Sequence, residues 1–287
     1  MKNIPKSILT FILVIVLFVF SESSKAITLA GFNYSAKVHL NAPLEAVLVV
    51  GNTEEGTASS IIKMNEVALI FEKNKIKVTK FYNKNTNWES IKTAAKTASF
   101  FVYSGHGSNM GLNGNTGGLC LNEMITTEQI LKELQFKKNA IVLFKSVCGG
   151  AGSSAFDTKD IGIEEAITRV SDYAQPFFTI GAACYYADNY DGGINLFLTE
   201  LFVGKTIEQC YKSTTKYDYV NHEIEKPFLS DSNKQISISS HINYGIRKIY
   251  VYENQKFIIK KVPAFRDYDI ALVGNPSFKF TELISLD

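Results

Sequence analysis

Two positions in this chain of 287 residues combine the residue types that nucleophilic chemistry needs. His106 sits in Ser104-Gly105-His106-Gly107, and Cys148 sits in Ser146-Val147-Cys148-Gly149-Gly150. A thiol attacks carbonyl carbon well but is mostly protonated near neutral pH, and an imidazole beside it can serve as base or acid. Glycine neighbours let backbone approach a substrate and leave N–H groups able to stabilise an oxyanion. Taken singly, a histidine after a strand is usually polar loop, and a cysteine closing an apolar run is usually core. Each ends an apolar run beside glycine, and an idle thiol is a liability in an exported chain, so together they read as a catalytic pair. His39, His222 and His241 lie in less structured text and read as surface residues. Cys120, Cys184 and Cys210 lack glycine loops and read as core thiols or as one disulfide plus a spare.

The elements that must position this pair alternate. Dense apolar runs at 44–52, 75–82, 99–103, 140–147 and 176–183 read as strands. Between them, residues 61–74, 86–98, 126–134 and 161–174 repeat apolar residues at helical spacing, with Thr86 or Asn87 as a cap for the second. One or two further helices run to residue 215. Strands that are apolar throughout, alternating with helices, mean a mostly parallel sheet covered on both faces. From 233 onward, "QISISS", "RKIYVYENQKFIIKKV" and "IALVGNPSF" read as strands and hairpins, a β-rich C-terminal extension with a last strand that returns to the sheet. Ligand sites on open parallel sheets lie outside the carboxyl ends of the strands. That rim would carry Glu54 and Glu55 after the first strand, His106 after the third, Cys148 after the fourth, and Cys184 to Asp188 after the fifth.

Residues 1–26 differ from the rest. Lys2 and Lys6 precede 13 apolar or hydroxyl residues at 8–20, and Ser24 and Ala26 supply small residues for a cut. This is the pattern of a secretory signal peptide, and the run is shorter than the roughly 18 to 20 residues a spanning helix needs. The expected organisation is a signal peptide at 1–26, a lead-in at 27–43, a catalytic core at 44–215, and a C-terminal extension at 216–287 that completes the domain. The expected location is secreted or periplasmic, with no stable membrane insertion after cleavage. Removing Lys2, Lys6, Lys25 and Glu22 with the leader leaves 27 basic and 27 acidic residues of the chain's 30 and 28. A neutral chain offers no overall electrostatic pull towards nucleic acid or anionic lipid. No cysteine pair has the close spacing of a zinc site.

At His106 and Cys148 the sequence resembles the caspase-like, clan CD cysteine peptidases. The likeness rests on an apolar strand ending in Ser-Gly-His-Gly, then a helix, then an apolar strand ending in Cys-Gly. Within the clan it is most similar to the secreted bacterial gingipain-like branch, through "FFVYSGHGSNMG", "VLFKSVCGG" and "ALVGNPSF", and it covers about residues 44–278. The resemblance implies a caspase-like α/β/α sandwich. It implies a hydrolase whose substrate is a protein or peptide, with Cys148 as the nucleophile that forms a thioester and His106 as the acid that protonates the leaving amine. The N–H groups of Gly107 and Cys148 would form the oxyanion hole. No metal takes part in that chemistry and no cofactor is required, although some secreted relatives carry a structural calcium. The family often pairs a basic P1 side chain with an acidic residue, for which Glu54, Glu55, Asp157 and Asp188 are the candidates. Ser146 and Tyr185 are candidates to line the same pocket. One departure is Asn275, where that branch closes its domain with Gly-Asp-Pro.

Two rival readings stand beside this one. Ser146-Val147-Cys148-Gly149-Gly150 also fits the nucleophile elbow of an α/β-hydrolase acting on esters. That fold needs a helix directly after the nucleophile and a downstream base, for which His222 and His241 are available. The other rival is an exported binding protein of caspase-like fold that no longer catalyses. The glycine-rich stretch after His106 suggests a flap over the cleft.

Overall fold

A computed structural model describes residues 43–107, 117–189, 193–215, 222–228, 231–242, 245–254 and 256–284. The expected leader, nearly all of the lead-in, and most of the flap after His106 lie outside the described residues. Among those described, no helix is long and apolar enough to cross a membrane.

Eight strands form the central sheet. In chain order they are β1 (Glu45–Val50), β2 (Lys77–Tyr82), β3 (Phe100–Ser104), β6 (Ala140–Lys145), β7 (Ala182–Asp188), β8 (His222–Phe228), β9 (Asp231–Ile242) and β12 (Arg266–Gly274). Short β4 (Leu119–Cys120) and β5 (Met124–Ile125) pair with each other, as do β10 (Ile246–Glu253) and β11 (Lys256–Pro263). Across the sheet the order is β2-β1-β3-β6-β7-β12-β9-β8. The first five strands are parallel, and β12, β9 and β8 continue the sheet antiparallel.

Two layers of helices cover the sheet, which is why its parallel strands are apolar throughout. On one face α1 (Thr57–Lys73), α5 (Gly193–Phe202) and α6 (Ile207–Thr215) pack on Leu48, Phe100, Val102, Leu143 and Tyr186. On the other, α2 (Trp88–Ala95), α3 (Thr127–Glu133) and α4 (Ile163–Thr179) pack on Val49, Phe101, Tyr103, Phe144 and Tyr185. A last turn, α7 (Thr281–Ile284), closes the chain. The caps are local. Asn87 accepts from the Ser90 N–H to start α2, and Thr126 with Gln129 forms a capping box at α3. The α/β class and the mostly parallel sheet follow the sequence reading.

One strand does not. Residues 176–183 were expected to be the fifth strand, but α4 runs on to Thr179 and the strand begins at Ala182. Ala166, Val170, Tyr173 and Phe177 form one continuous helical stripe buried on the sheet. Pro176 lies inside α4 and removes one bond of its ladder, so it is the burial of this stripe that carries the helix on to Thr179. Gly181, at φ 102°, then reverses the chain in a conformation that glycine adopts readily. In consequence Cys184, Tyr185 and Asp188 lie within β7 rather than beyond its end.

Candidate functional site

The order of the sheet brings the two sequence candidates side by side. β3 and β6 are neighbours, with Ser104 paired to Lys145 at their ends. The segments 105–107 and 146–148 therefore leave the same rim from adjacent strands. β1, beside β3, connects to β2 through α1 on one face, while β2 connects to β3 through α2 on the other. The rim at β1 and β3 is thus the switch point of the sheet, where such folds open a crevice. His106 is exposed there and Cys148 is half-buried.

Two buried tyrosines fix this pair from below. The Tyr103 hydroxyl lies 2.8 Å from the His106 carbonyl and 3.0 Å from that of Cys120, and it accepts the Cys120 N–H at 2.9 Å. The Tyr173 hydroxyl donates to the Cys148 carbonyl at 3.1 Å. Burial pushes the phenol of Tyr103 well above its ordinary pKa, so it remains a protonated donor. This packing also explains the two glycines. A Cβ at Gly105 would overlap the Tyr103 ring and hydroxyl, and one at Gly107 would overlap the Cys148 carbonyl and the Tyr173 hydroxyl. The glycines expected to clear space for a substrate are thus required first by the close approach of backbone to tyrosine and to backbone. Among the described residues, the N–H groups of Gly107 and Cys148 meet no acceptor.

The turn carrying Cys148 is tightly built. Gly150 N–H donates to the Val147 carbonyl at 2.8 Å, and Gly149 N–H to that of Ser153 at 2.9 Å. Further on, Ser153 exchanges hydrogen bonds with the backbone of Tyr268. Arg169 bonds the Gly152 carbonyl and the Asp157 carboxylate. No helix follows Cys148 before α4, so the elbow of an α/β-hydrolase is not formed. Ser146 is exposed at φ 54°, a left-handed conformation that costs a non-glycine residue about 1 kcal/mol or more.

The substrate-binding candidates separate. Tyr185 is fully buried, and its hydroxyl donates to the Gly150 carbonyl at 2.8 Å, so it supports the Cys148 turn from beneath. Asp188 is also fully buried, and its carboxylate accepts from Lys145 Nζ at 2.5 Å. Burial raises its pKa and Lys145 opposes the rise. A substrate cation would have to displace Lys145 to reach it. Asp157 is likewise committed, to Arg169. Glu54 and Glu55 remain exposed in a short 3-10 turn past the end of β1.

The four thiols are all free. Burial pushes Cys184 well up and Cys210 up to about 12. Burial, and then the Glu54 carboxylate, raise Cys120. These three make poor nucleophiles. Asn275 keeps the role a carboxylate would have in its turn, since its Oδ1 accepts the Ser277 N–H at 3.1 Å.

Tyr103 and Tyr173 escaped the sequence reading, although each is a hydroxyl-bearing ring in an otherwise apolar run, and such a ring needs a partner when buried. His241, expected at the surface, is mostly buried and lies 2.6 Å from Asp269, with Asp267 close by. Arg247 pairs with Asp267, so a cation is already present at that cluster. Neither a protein-family model nor a curated protein matches the chain.

Proposed function

We propose that this protein is an exported cysteine endopeptidase of caspase-like fold. The observation that carries the reading is the adjacency of His106 and Cys148 at the ends of paired strands, with the Gly107 backbone seated against the Cys148 carbonyl. Cys148 Sγ passes its proton to His106 and attacks the scissile carbonyl carbon, forming the C–S bond. His106 gives its proton to the departing amine as the C–N bond breaks. Water then hydrolyses the thioester, releasing the acid and restoring the thiol. The N–H groups of Gly107 and Cys148, which meet no acceptor among the described residues, suit the developing oxyanion. The high pKa values of the other three thiols support Cys148 as the nucleophile.

Positional-scanning peptide hydrolysis tests this, with and without calcium, beside Cys148→Ala. Cleavage with a defined P1 preference, lost in the alanine variant, is the expected result. A second reading draws on the His241–Asp269 pair at the same rim, which would give an esterase a base and its orienting acid. Ester hydrolysis that survives His106→Ala and fails in His241→Ala, with no peptide cleaved, would select it.

A further inference from the structure

The β10–β11 hairpin stands apart from the central sheet, since its strands pair only with each other. It meets the body through the Tyr250 N–H, which donates to the Ala155 carbonyl, through Phe156, whose ring packs on Tyr250 and Phe257, and through Arg247 and the buried Ile249 of its other face. Of the eleven large apolar side chains exposed among the described residues, six are on it. The register sets Tyr250 opposite Ile259 and Tyr252 opposite Phe257, with Ile246 on the same side, so five of the six share one face. Lys248 and Lys261 lie opposite each other on that face.

The charge is one-sided. The two strands hold five basic residues and one acidic residue, whereas the rest of residues 27–287 holds 22 basic and 26 acidic residues. Arg247 turns inward to Asp267 and to the Ser154 carbonyl, and Lys260 takes the lone acid, Glu253. Lys248, Lys256 and Lys261 are left in no described ion pair. An aromatic and aliphatic face edged by uncompensated cations complements a surface of anionic headgroups. Tyrosine in particular favours the depth of the headgroups, and lysines near an anionic leaflet are drawn to it within a Debye length. A second copy fits less well, because the lysines along β11 repel their own kind at a free edge.

We propose that the β10–β11 hairpin docks peripherally on anionic lipid. Strands of eight residues lie on the surface rather than span the bilayer, and the Ala155 contact holds the Cys148 turn close to it. This inference stands whether or not the chain is a peptidase.

Vesicle co-sedimentation tests it, using the full chain with phosphatidylcholine vesicles and with vesicles containing about one third phosphatidylglycerol. Any leader retained on the chain is common to parent and variants, so the readout is the change in the anionic-to-neutral binding ratio. The parent is expected to prefer anionic vesicles, and 0.5 M salt to abolish the preference. Lys248→Glu with Lys261→Glu should cut the ratio about 20-fold or more, as should Tyr252→Ser with Ile259→Ser, with melting temperatures unchanged. Equal binding to both vesicle types, or a preference that both double variants retain, overturns the proposal. So does a hairpin whose variants change only self-association or only the KM for a protein substrate.

Discussion

At the scale of single residues, the site is a set of backbone groups held by tyrosine hydroxyls. Tyr173→Phe removes the donor to the Cys148 carbonyl, a bond worth about 1 kcal/mol. Peptide hydrolysis, or alkylation of Cys148, is expected to slow about five- to tenfold, with a melting temperature lower by only a few degrees. Gly107→Ala forces a methyl group into the Cys148 carbonyl, and such overpacking costs about 1–3 kcal/mol. It should lower both stability and hydrolysis, and denaturant melts beside kinetics would separate the two variants. Glu54 is an exposed carboxylate past the end of β1, whereas Asp157 and Asp188 are already paired. If the enzyme selects a basic P1 residue, Glu54→Gln should raise KM for arginine or lysine peptides more than it lowers kcat. Measured KM values unchanged by the substitution would remove Glu54 from the pocket.

At the scale of elements, two ion pairs join neighbouring strands and behave differently. Lys145 at the end of β6 and Asp188 at the end of β7 are both buried. Lys145→Met strands the carboxylate and should cost about 3–5 kcal/mol, while adding Asp188→Leu should recover most of it. Urea melts of the single and double variants give that comparison. Without Lys145 the Asp188 carboxyl moves further up, so the folded state binds its proton more tightly and the single variant gains relative stability as pH falls. Glu45 works in the opposite sense. Hydrogen bonds from Thr97, first, and from Lys77 hold its carboxyl below the usual range. The folded state therefore binds fewer protons, so the contribution of Glu45 is present above about pH 4.3 and fades as pH falls through the lowered folded value. The stability gap between the parent and Glu45→Gln should be visible at pH 7 and close in acid, as read from melts across that range.

At the scale of the whole molecule, the C-terminal strands are structural members of the core. β12 lies against β7 and sends Ile270 and Leu272 into one core and Tyr268, Ala271 and Val273 into the other. It also brings Tyr268 to Ser153 in the loop after Cys148. A chain ending at Thr215 should lose cooperative unfolding altogether, because both cores open along the edge of β7. Calorimetry of the truncated chain would check this, and a sharp transition in it would show the extension to be an appendage. Net charge averages over the molecule, whereas the β10 and β11 strands carry five basic residues and one acidic residue.

Local order was legible from the amino acids. Doubly buried strands are apolar throughout, helices repeat at 3.6 residues, and caps such as Asn87 and Thr126 act within three positions, so the layered α/β class and the ends at His106 and Cys148 could be read directly. The boundary at 176–183 could not, because a short apolar run does not distinguish the last turn of a buried helix from a buried strand; the packing of Phe177 decided it. Contacts made across the chain were equally out of reach. That Tyr103 and Tyr173 hold the two candidate catalytic carbonyls, that Asp188 belongs to Lys145, and that His241 meets Asp269 depend on which strands are neighbours. Strand order is set by long-range packing, and no local pattern of residue types carries that information.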